Sequence, residues 1–137
     1  MKLQPDSSPA QFTISAQGPG FVTVNGVRYE HGICVGSDMP PEAWGQDGFA
    51  ALAESHFARL IKNQAEIVIV GTGNRQQFPK PGVLRVLMEH GIGFEIMNTA
   101  AACRTYNILA AEGRKVVAGL LIDPLPHTPI AVRGDDL

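Results

Sequence analysis

The chain has 137 residues, of which 45% are hydrophobic and 18% charged, and its formal net charge is −2. A chain of this length buries about two thirds of the surface exposed on unfolding, so we expect one domain that needs no disulfide or metal to hold its core. Its 2 cysteines exclude a disulfide-rich secreted scaffold, and the near balance of 11 basic and 13 acidic residues argues against binding to nucleic acid or membrane phosphates.

The ends of the chain differ in composition from its middle. Residues 1–10 are polar and contain two prolines, and Pro124, Pro126 and Pro129 follow near the other end. We therefore expect a flexible tail over residues 1–10, a single domain over 11–122 and a proline-rich tail over 123–137. The sequence contains no long apolar run and no signal-peptide core, which predicts a cytoplasmic protein without membrane insertion.

The first third of the domain has the alternating pattern of antiparallel strands. Residues 12–15, 21–24 and 27–30 alternate, and Asn25-Gly26 separates the last two runs. Asn and Gly tolerate the positive φ of a type I′ turn, so this dipeptide is a strong hairpin signal. Residues 32–36 extend or add a strand, and we expect an antiparallel meander.

The apolar period then changes to that of a helix. From Asp47 or Gly48 to about Lys62, apolar side chains recur at helical spacing, with the charged residues elsewhere. The pattern predicts one amphipathic helix whose inward side comprises Phe49, Leu52, Ala53, His56, Leu60 and Ile61.

The second half of the domain has the pattern β-α-β-α-β. The predicted strands cover residues 66–70, 94–97 and 116–122. Since such units pair parallel strands through right-handed crossovers, we expect the strands that end at Val70 and Met97 to be parallel neighbours. The fold class is therefore α/β, with a mixed sheet, N-terminal antiparallel hairpins and a following β-α-β-α-β unit.

Two helices connect these strands. Pro81 suits the first turn of a helix that ends at Gly91, and its inward side is predicted to be Leu84, Leu87 and Met88. The second helix begins with Asn98 or Thr99 as its N-cap and continues to about Glu112.

Gly71-Thr72-Gly73 follows a buried strand and invites comparison with a dinucleotide-binding loop. However, Gln76 stands where the third glycine belongs, and residues 77–81 separate the loop from the next helix. A phosphate bound by the loop would not reach a helix N-terminus. A strand exit that requires glycine geometry explains the motif better.

The segment from Asn98 to Asn107 is more informative. A helix start supplies unpaired N–H groups and partial positive charge, three alanines allow close approach, and Arg104 adds a cation, so an anion could dock there. The alternative is a helix that packs tightly on the sheet, with Arg104 paired to a surface carboxylate. For Cys103, a solvent-reachable position predicts a lowered thiol pKa, and a position packed on the sheet predicts a raised one.

No catalytic or metal-binding constellation stands out. The histidines at 31, 56, 90 and 127 belong to different predicted elements, and neither cysteine has a ligand-like spacing. The sequence also lacks a nucleophile elbow. We therefore assign no catalytic residue, metal or cofactor.

Four segments of the sequence carry a family resemblance. They are the Gly71-Thr72-Gly73 loop, Phe78-Pro79, residues 91–97, and the segment Thr-Ala-Ala-Ala-Cys-Arg-Thr-Tyr-Asn over residues 99–107. The chain resembles the domain-of-unknown-function family shared by mitochondrial NADH dehydrogenase (complex I) assembly factor three and the adipogenesis-associated protein, and is similar to its bacterial single-domain members. The resemblance covers residues 12–122. It implies a three-layer β/β/α domain and no established reaction.

Two functions from different classes follow. The first is a non-enzymatic binding or assembly module that contacts a protein partner of the respiratory chain. The second is a small enzyme or ligand-binding protein that holds a small anion in a cleft between the loop and the helix start, where positive potential is expected. Either would act as a monomer or weak dimer. The candidate ligand-binding residues are Gly71, Thr72, Gly73, Arg75, Asn98, Thr99, Cys103, Arg104, Tyr106 and Asn107.

Overall fold

The computed structural model of the chain describes residues 10–62 and 64–126. Most of both expected tails, including Pro129 and His127, lies outside the described residues. The strands are β1 Ile14–Gly18, β2 Phe21–Val24, β3 Val27–Tyr29, β4 Ile33–Gly36, β5 Met39–Ala43, β6 Ile67–Thr72, β7 Gly93–Met97 and β8 Val116–Leu121. The helices are α1 Glu54–Ala58, α2 Pro81–Glu89 and α3 Thr99–Ala111, with a 3₁₀ turn over Phe49–Ala51.

The strands form two sheets. A small antiparallel sheet has the order β1-β2-β3, and a larger mixed sheet has the order β5-β4-β8-β6-β7. Strand β6 pairs in parallel with both β7 and β8, with Val70 opposite Ile96, and β4 pairs antiparallel with β5 and β8. The predicted parallel pairing of the strands that end at Val70 and Met97 is confirmed.

The large sheet is covered on both faces. The small sheet and α3 bury one face through a core that includes Val22, Ile69 and Tyr106, and α1 and α2 bury the other face through a core that includes Phe57 and Leu87. Burial on both faces explains why β6 and β8 are almost continuously apolar. The result is the expected mixed α/β domain.

The Asn25-Gly26 hairpin is confirmed. Asn25 has φ 49° and Gly26 has φ 84°, the left-handed pair that a type I′ turn requires. The turn pairs Val24 with Val27 and keeps Val22 and Val24 on the buried face.

The expected meander is wrong beyond β3. Strand β4 does not continue the small sheet but inserts between β5 and β8 of the large one. All four β4 residues are buried, as a strand inside a covered sheet requires. The sequence analysis also missed β5, because Pro40 and Pro41 disfavour a strand unless it lies at a sheet edge, which is where β5 lies.

The single helix expected over residues 48–62 is also wrong. Leu52 has an extended backbone with φ −63° and ψ 131°, which separates the 3₁₀ turn from the five-residue α1. The break lets Phe57 and Leu60 enter the core completely, whereas Ala53, predicted inward, is exposed. Tertiary packing therefore overrides the helical period here.

Helix α2 begins at Pro81, as predicted, and Gly91 follows it with φ 66°. Leu84 and Leu87 are buried, but Met88 is 55% exposed, so its predicted inward position is wrong. A nine-residue helix on a sheet buries a narrow stripe, and Met88 lies outside it.

Candidate functional site

The Gly71–Gly73 loop and the start of α3 lie side by side at the carboxyl end of the parallel strands, as expected. The Gly73 N–H donates to Thr99 Oγ1 at 2.8 Å, and the Thr99 N–H donates to the Gly73 carbonyl at 2.9 Å. Thr99 Oγ1 in turn donates to the Leu121 carbonyl at 2.6 Å. One buried threonine therefore joins the ends of β6 and β8 to the helix.

Gly71 is needed for this close approach. A Cβ at this position would lie 2.9 Å from both the Cα and the Oγ1 of Thr99, and 3.1 Å from the Ala102 Cβ. Ala102 is fully buried against the same strand. The small residues of the motif thus serve helix-to-sheet packing, which was one of the two alternatives.

Thr72 holds the loop in its bent path. Its Oγ1 lies 2.8 Å from the Arg75 carbonyl and 3.2 Å from the Met97 carbonyl, and it accepts the Gln77 N–H at 3.0 Å. Thr72 is almost fully buried. Its hydroxyl is therefore occupied by the chain itself.

Of the two predicted candidates, Asn98 and Thr99, Asn98 is the N-cap of α3. Its side chain accepts the Ala101 N–H at 2.8 Å, and its carbonyl accepts the Ala102 N–H at 2.9 Å. With the Thr99 N–H bound to Gly73, most of the first-turn donors already have partners within the chain.

A cleft of about 440 Å³ opens beside this helix start. The β1–β2 turn forms one wall, and the segment after β8 forms another. Its lining residues are Gln17, Gly18, Pro19, Gly20, Phe21, Gly73, Asn74, Asn98, Thr99, Ala100, Leu121, Ile122 and Asp123.

The charge of the cleft differs from the expectation. Neither Arg75 nor Arg104 lines it, and both lie exposed elsewhere. The ionisable side chain among the lining residues is Asp123, whose Oδ2 accepts the Asn74 N–H at 2.8 Å. The expectation of a positive spot formed by those arginines is therefore wrong.

Cys103 is packed on the sheet with 2% of its surface exposed. Burial raises the pKa of its thiol from 9.0 to about 12, and the Arg104 cation opposes this shift only in part. Cys103 therefore occupies the packed position, for which the sequence analysis predicts a raised thiol pKa, and not the solvent-reachable one.

Tyr106 and Asn107 attach α3 to the small sheet. The Tyr106 hydroxyl donates to the Phe12 carbonyl at 2.7 Å, and burial raises its pKa above the usual range. The Asn107 side chain accepts the Ile14 N–H at 2.9 Å and donates to the Ile14 carbonyl at 2.7 Å. An asparagine amide here pairs with both main-chain groups of Ile14, as a neighbouring strand residue would.

The sequence analysis missed Asp123 and the β1–β2 turn. A signal for Asp123 was present, because β8 is the third parallel strand and its carboxyl end should share the edge with those of β6 and β7. No local signal placed the turn there. It reaches the cleft because Tyr106 and Asn107 hold the residues at the start of β1.

Within residues 10–62 and 64–126, none of the helices has the length and apolarity needed to cross a bilayer. The same residues contain no group of three or more His, Cys, Asp or Glu side chains arranged to hold a metal ion.

Comparison with known proteins identifies relatives over nearly the whole described fold. Residues 14–121 match a family described as protein of unknown function (DUF498/DUF598). NADH dehydrogenase [ubiquinone] 1 alpha subcomplex assembly factor 3 of Bos taurus is 36% identical over 89% of this chain, and the match spans 66% of the bovine protein, just under two thirds.

Solved structures have the same fold. The crystal structure of a Bordetella parapertussis protein has a TM-score of 0.79 and 41% identity, over 83% of this chain and 98% of that one. The solution structure of a Bordetella pertussis protein described as a Mth938-like domain has a TM-score of 0.74 and 35% identity, over 90% of this chain and 94% of that one.

Proposed function

Since the chain belongs to the DUF498/DUF598 family of proteins of unknown function, we propose that it is a non-enzymatic binding module that assists assembly of respiratory complex I. The observation that carries the proposal is the 36% identity with the bovine protein named as an assembly factor of NADH dehydrogenase. The partner in this proposal is a protein of the respiratory chain.

The use of the motif residues supports a binding role. Thr72, Thr99 and Asn107 direct their polar groups at the main chain and hold the domain together. Because these polar groups are bonded within the fold, they are not available as reacting groups, and the proposal therefore places the function on the surface of the domain.

The loop after β6 offers a contact surface. Phe78 is 72% exposed and is the most exposed of the large apolar side chains in the described part of the chain. Aromatic side chains are enriched where proteins bind one another. We infer that this loop contacts the partner.

We also assign the chain to the cytoplasm, as a monomer or weak dimer. Cys34 and Cys103 are free and buried, which agrees with a reducing compartment.

The test measures complex I activity in membranes of source cells from which the gene for this chain has been deleted. We expect membrane NADH:quinone oxidoreductase activity to fall and to be restored by the wild type but not by Phe78→Ser. Val27→Ser is the matched control, since Val27 is 55% exposed on the small sheet, and it should restore activity. Normal activity without the chain would overturn the proposal.

A second candidate function is a small enzyme or ligand-binding protein that uses the cleft, which its volume of about 440 Å³ supports. An anion bound in the cleft would lie near Asn98 but also near the carboxylate of Asp123, which would repel it. A thermal-shift screen of phosphates, nucleotides and carboxylates tests this function. Any anion that stabilises the wild type should stabilise Asp123→Asn more, and no shift with either protein would exclude it.

A further inference from the structure

The two edges of the large sheet are unlike each other. Strand β5 carries Pro40 and Pro41, which blunt that edge because proline cannot donate to a ladder. Strand β7 at the other edge has no proline and pairs with β6 alone among the described strands. A Cβ added at Gly93 would meet no atom within 4 Å, so the beginning of β7 is open.

The register shows which main-chain groups of β7 face outward. In a parallel ladder the N–H and C=O of one residue point to the same side, and alternate residues point to opposite sides. The Met97 carbonyl faces β6, where it lies 3.2 Å from Thr72 Oγ1. The main-chain N–H and C=O groups of Phe94 and Ile96 therefore point to the free edge. The Gln76 side chain donates to the Ile96 carbonyl at 2.8 Å. The Ile96 N–H and both main-chain groups of Phe94 remain for another strand.

The side chains of β7 define what such a strand would contain. Phe94 and Ile96 are half-buried and pack at the border of the α1 and α2 core. Glu95 points to the opposite face, is exposed, and forms no ion pair within the described part of the chain. A strand beside β7 would place two apolar side chains next to Phe94 and Ile96. Its residue between those two would lie opposite the carboxylate of Glu95.

We propose that the free edge of β7 binds an extended segment of a partner protein with the pattern apolar–basic–apolar, whose Lys or Arg lies opposite Glu95. Main-chain hydrogen bonds supply affinity in this mode, and the alternating side chains supply specificity. The proposal deepens the proposed function and rests on it, since it names how the module holds its partner. The Gln76 bond places the loop of Phe78 at the carboxyl end of the same edge.

A second copy of the chain, paired in the register centred on Glu95, is a poorer occupant. Antiparallel pairing of two β7 strands about Glu95 would put two carboxylates directly opposite each other, which destabilises a ladder. A basic segment of a different protein removes this repulsion.

Selection of a displayed random nine-residue peptide library on the immobilised chain tests the proposal without any assumption about complex I. We expect enrichment of apolar–basic–apolar peptides, and a synthetic peptide of that sequence should bind Glu95→Lys roughly three- to ten-fold more weakly than the wild type. A peptide with Glu in place of the basic residue should prefer Glu95→Lys. Glu89→Lys, the same charge change on the exposed end of α2, is the control and should leave binding unchanged.

Amide exchange locates the peptide. In the free protein the Glu95 amide should be protected by β6 and the Phe94 and Ile96 amides should exchange fast, and bound peptide should slow the latter two. No enriched peptide, equal binding to Glu95→Lys, or protection elsewhere would each overturn the proposal. Peptide binding at β7 together with normal complex I in cells that lack the chain would leave this inference standing and remove only the assembly role.

Discussion

The Asn107 side chain makes the pair of main-chain hydrogen bonds that a neighbouring strand would otherwise make with Ile14. Its amide makes two hydrogen bonds to Ile14, at 2.9 and 2.7 Å, and Ile14 is 6% exposed. Both bonds are partly shielded from water in the folded protein. Asparagine at this position is therefore explained by the geometry of β1.

Asn107→Ala should lower the free energy of unfolding by about 1 to 2 kcal/mol, since it leaves a part-buried donor and a part-buried acceptor without their partner. Urea denaturation measures the change. Ile108→Ala, at the neighbouring position that is 60% exposed, should change stability by less than about 0.5 kcal/mol. Equal losses in the two variants would contradict the role given to the amide.

The Cys103 thiol predicts a loss of stability in alkali. Its folded pKa of about 12 lies above the ordinary 9.0, so the unfolded chain binds fewer protons once the pH exceeds 9.0. Stability is complete below that pH and falls by about 1.4 kcal/mol per pH unit up to the folded pKa. Between pH 8 and 10.5 the wild type should lose about 2 kcal/mol more than Cys103→Ala in urea titrations. Parallel pH profiles for both proteins would show that the thiol is not buried.

At the scale of elements, the contact between β6 and α3 depends on glycine at position 71, which has no side chain. Gly71 allows the backbone of Thr99 and the methyl of Ala102 to approach the strand within van der Waals contact. The same approach brings the carboxyl ends of β6 and β8 to one threonine hydroxyl.

Gly71→Ala should therefore destabilise the fold by about 2 kcal/mol or more, because main-chain atoms 2.9 Å away must move. Gly82→Ala is a matched change in α2 with no atom within 4 Å of the added Cβ, and it should stabilise the fold by about 0.5 kcal/mol. Thermal or urea unfolding of the pair measures both signs. A neutral Gly71→Ala would refute the packing explanation of the motif.

Elements with a strong local signal could be predicted from the sequence, and those set by distant packing could not. The Asn25-Gly26 turn, Pro81 at the start of α2 and the Asn98 cap each follow from local chemistry. The break at Leu52 and the edge position of Pro40 depend on what lies across the core. The adjacency of the loop and the α3 start was predictable, but the roles of Cys103 and Asn107 required their neighbours.

At the scale of the whole molecule, two cores share one sheet. Trp44 is 1% exposed, its ring packs on Gly119 of β8, and its Nε1 donates to the His56 carbonyl at 2.8 Å. It therefore reports on the α1 and α2 side, while α3, the longest helix described, belongs to the other side. The bounds expected for the tails, 1–10 and 123–137, stay predictions.

Because both cores include residues of β8, we expect them to unfold together. The fluorescence of Trp44, the single tryptophan of the chain, and far-UV circular dichroism should give the same urea midpoint. Added dithiothreitol should not shift it, since both cysteines are free. Separate midpoints would show that the two faces are independent units.

The position of β8 has a consequence for how the protein is made. It is the last strand described along the chain, yet it stands third of five in the large sheet, between the β5-β4 hairpin and the β6-β7 pair. While residues 116–121 are still inside the ribosome, those two pairs share no ladder, and the edges that β8 later covers stay open to other chains. The nascent protein therefore passes through a stage in which β4 and β6 each have an uncovered edge, and this stage ends only after β8 has left the ribosome.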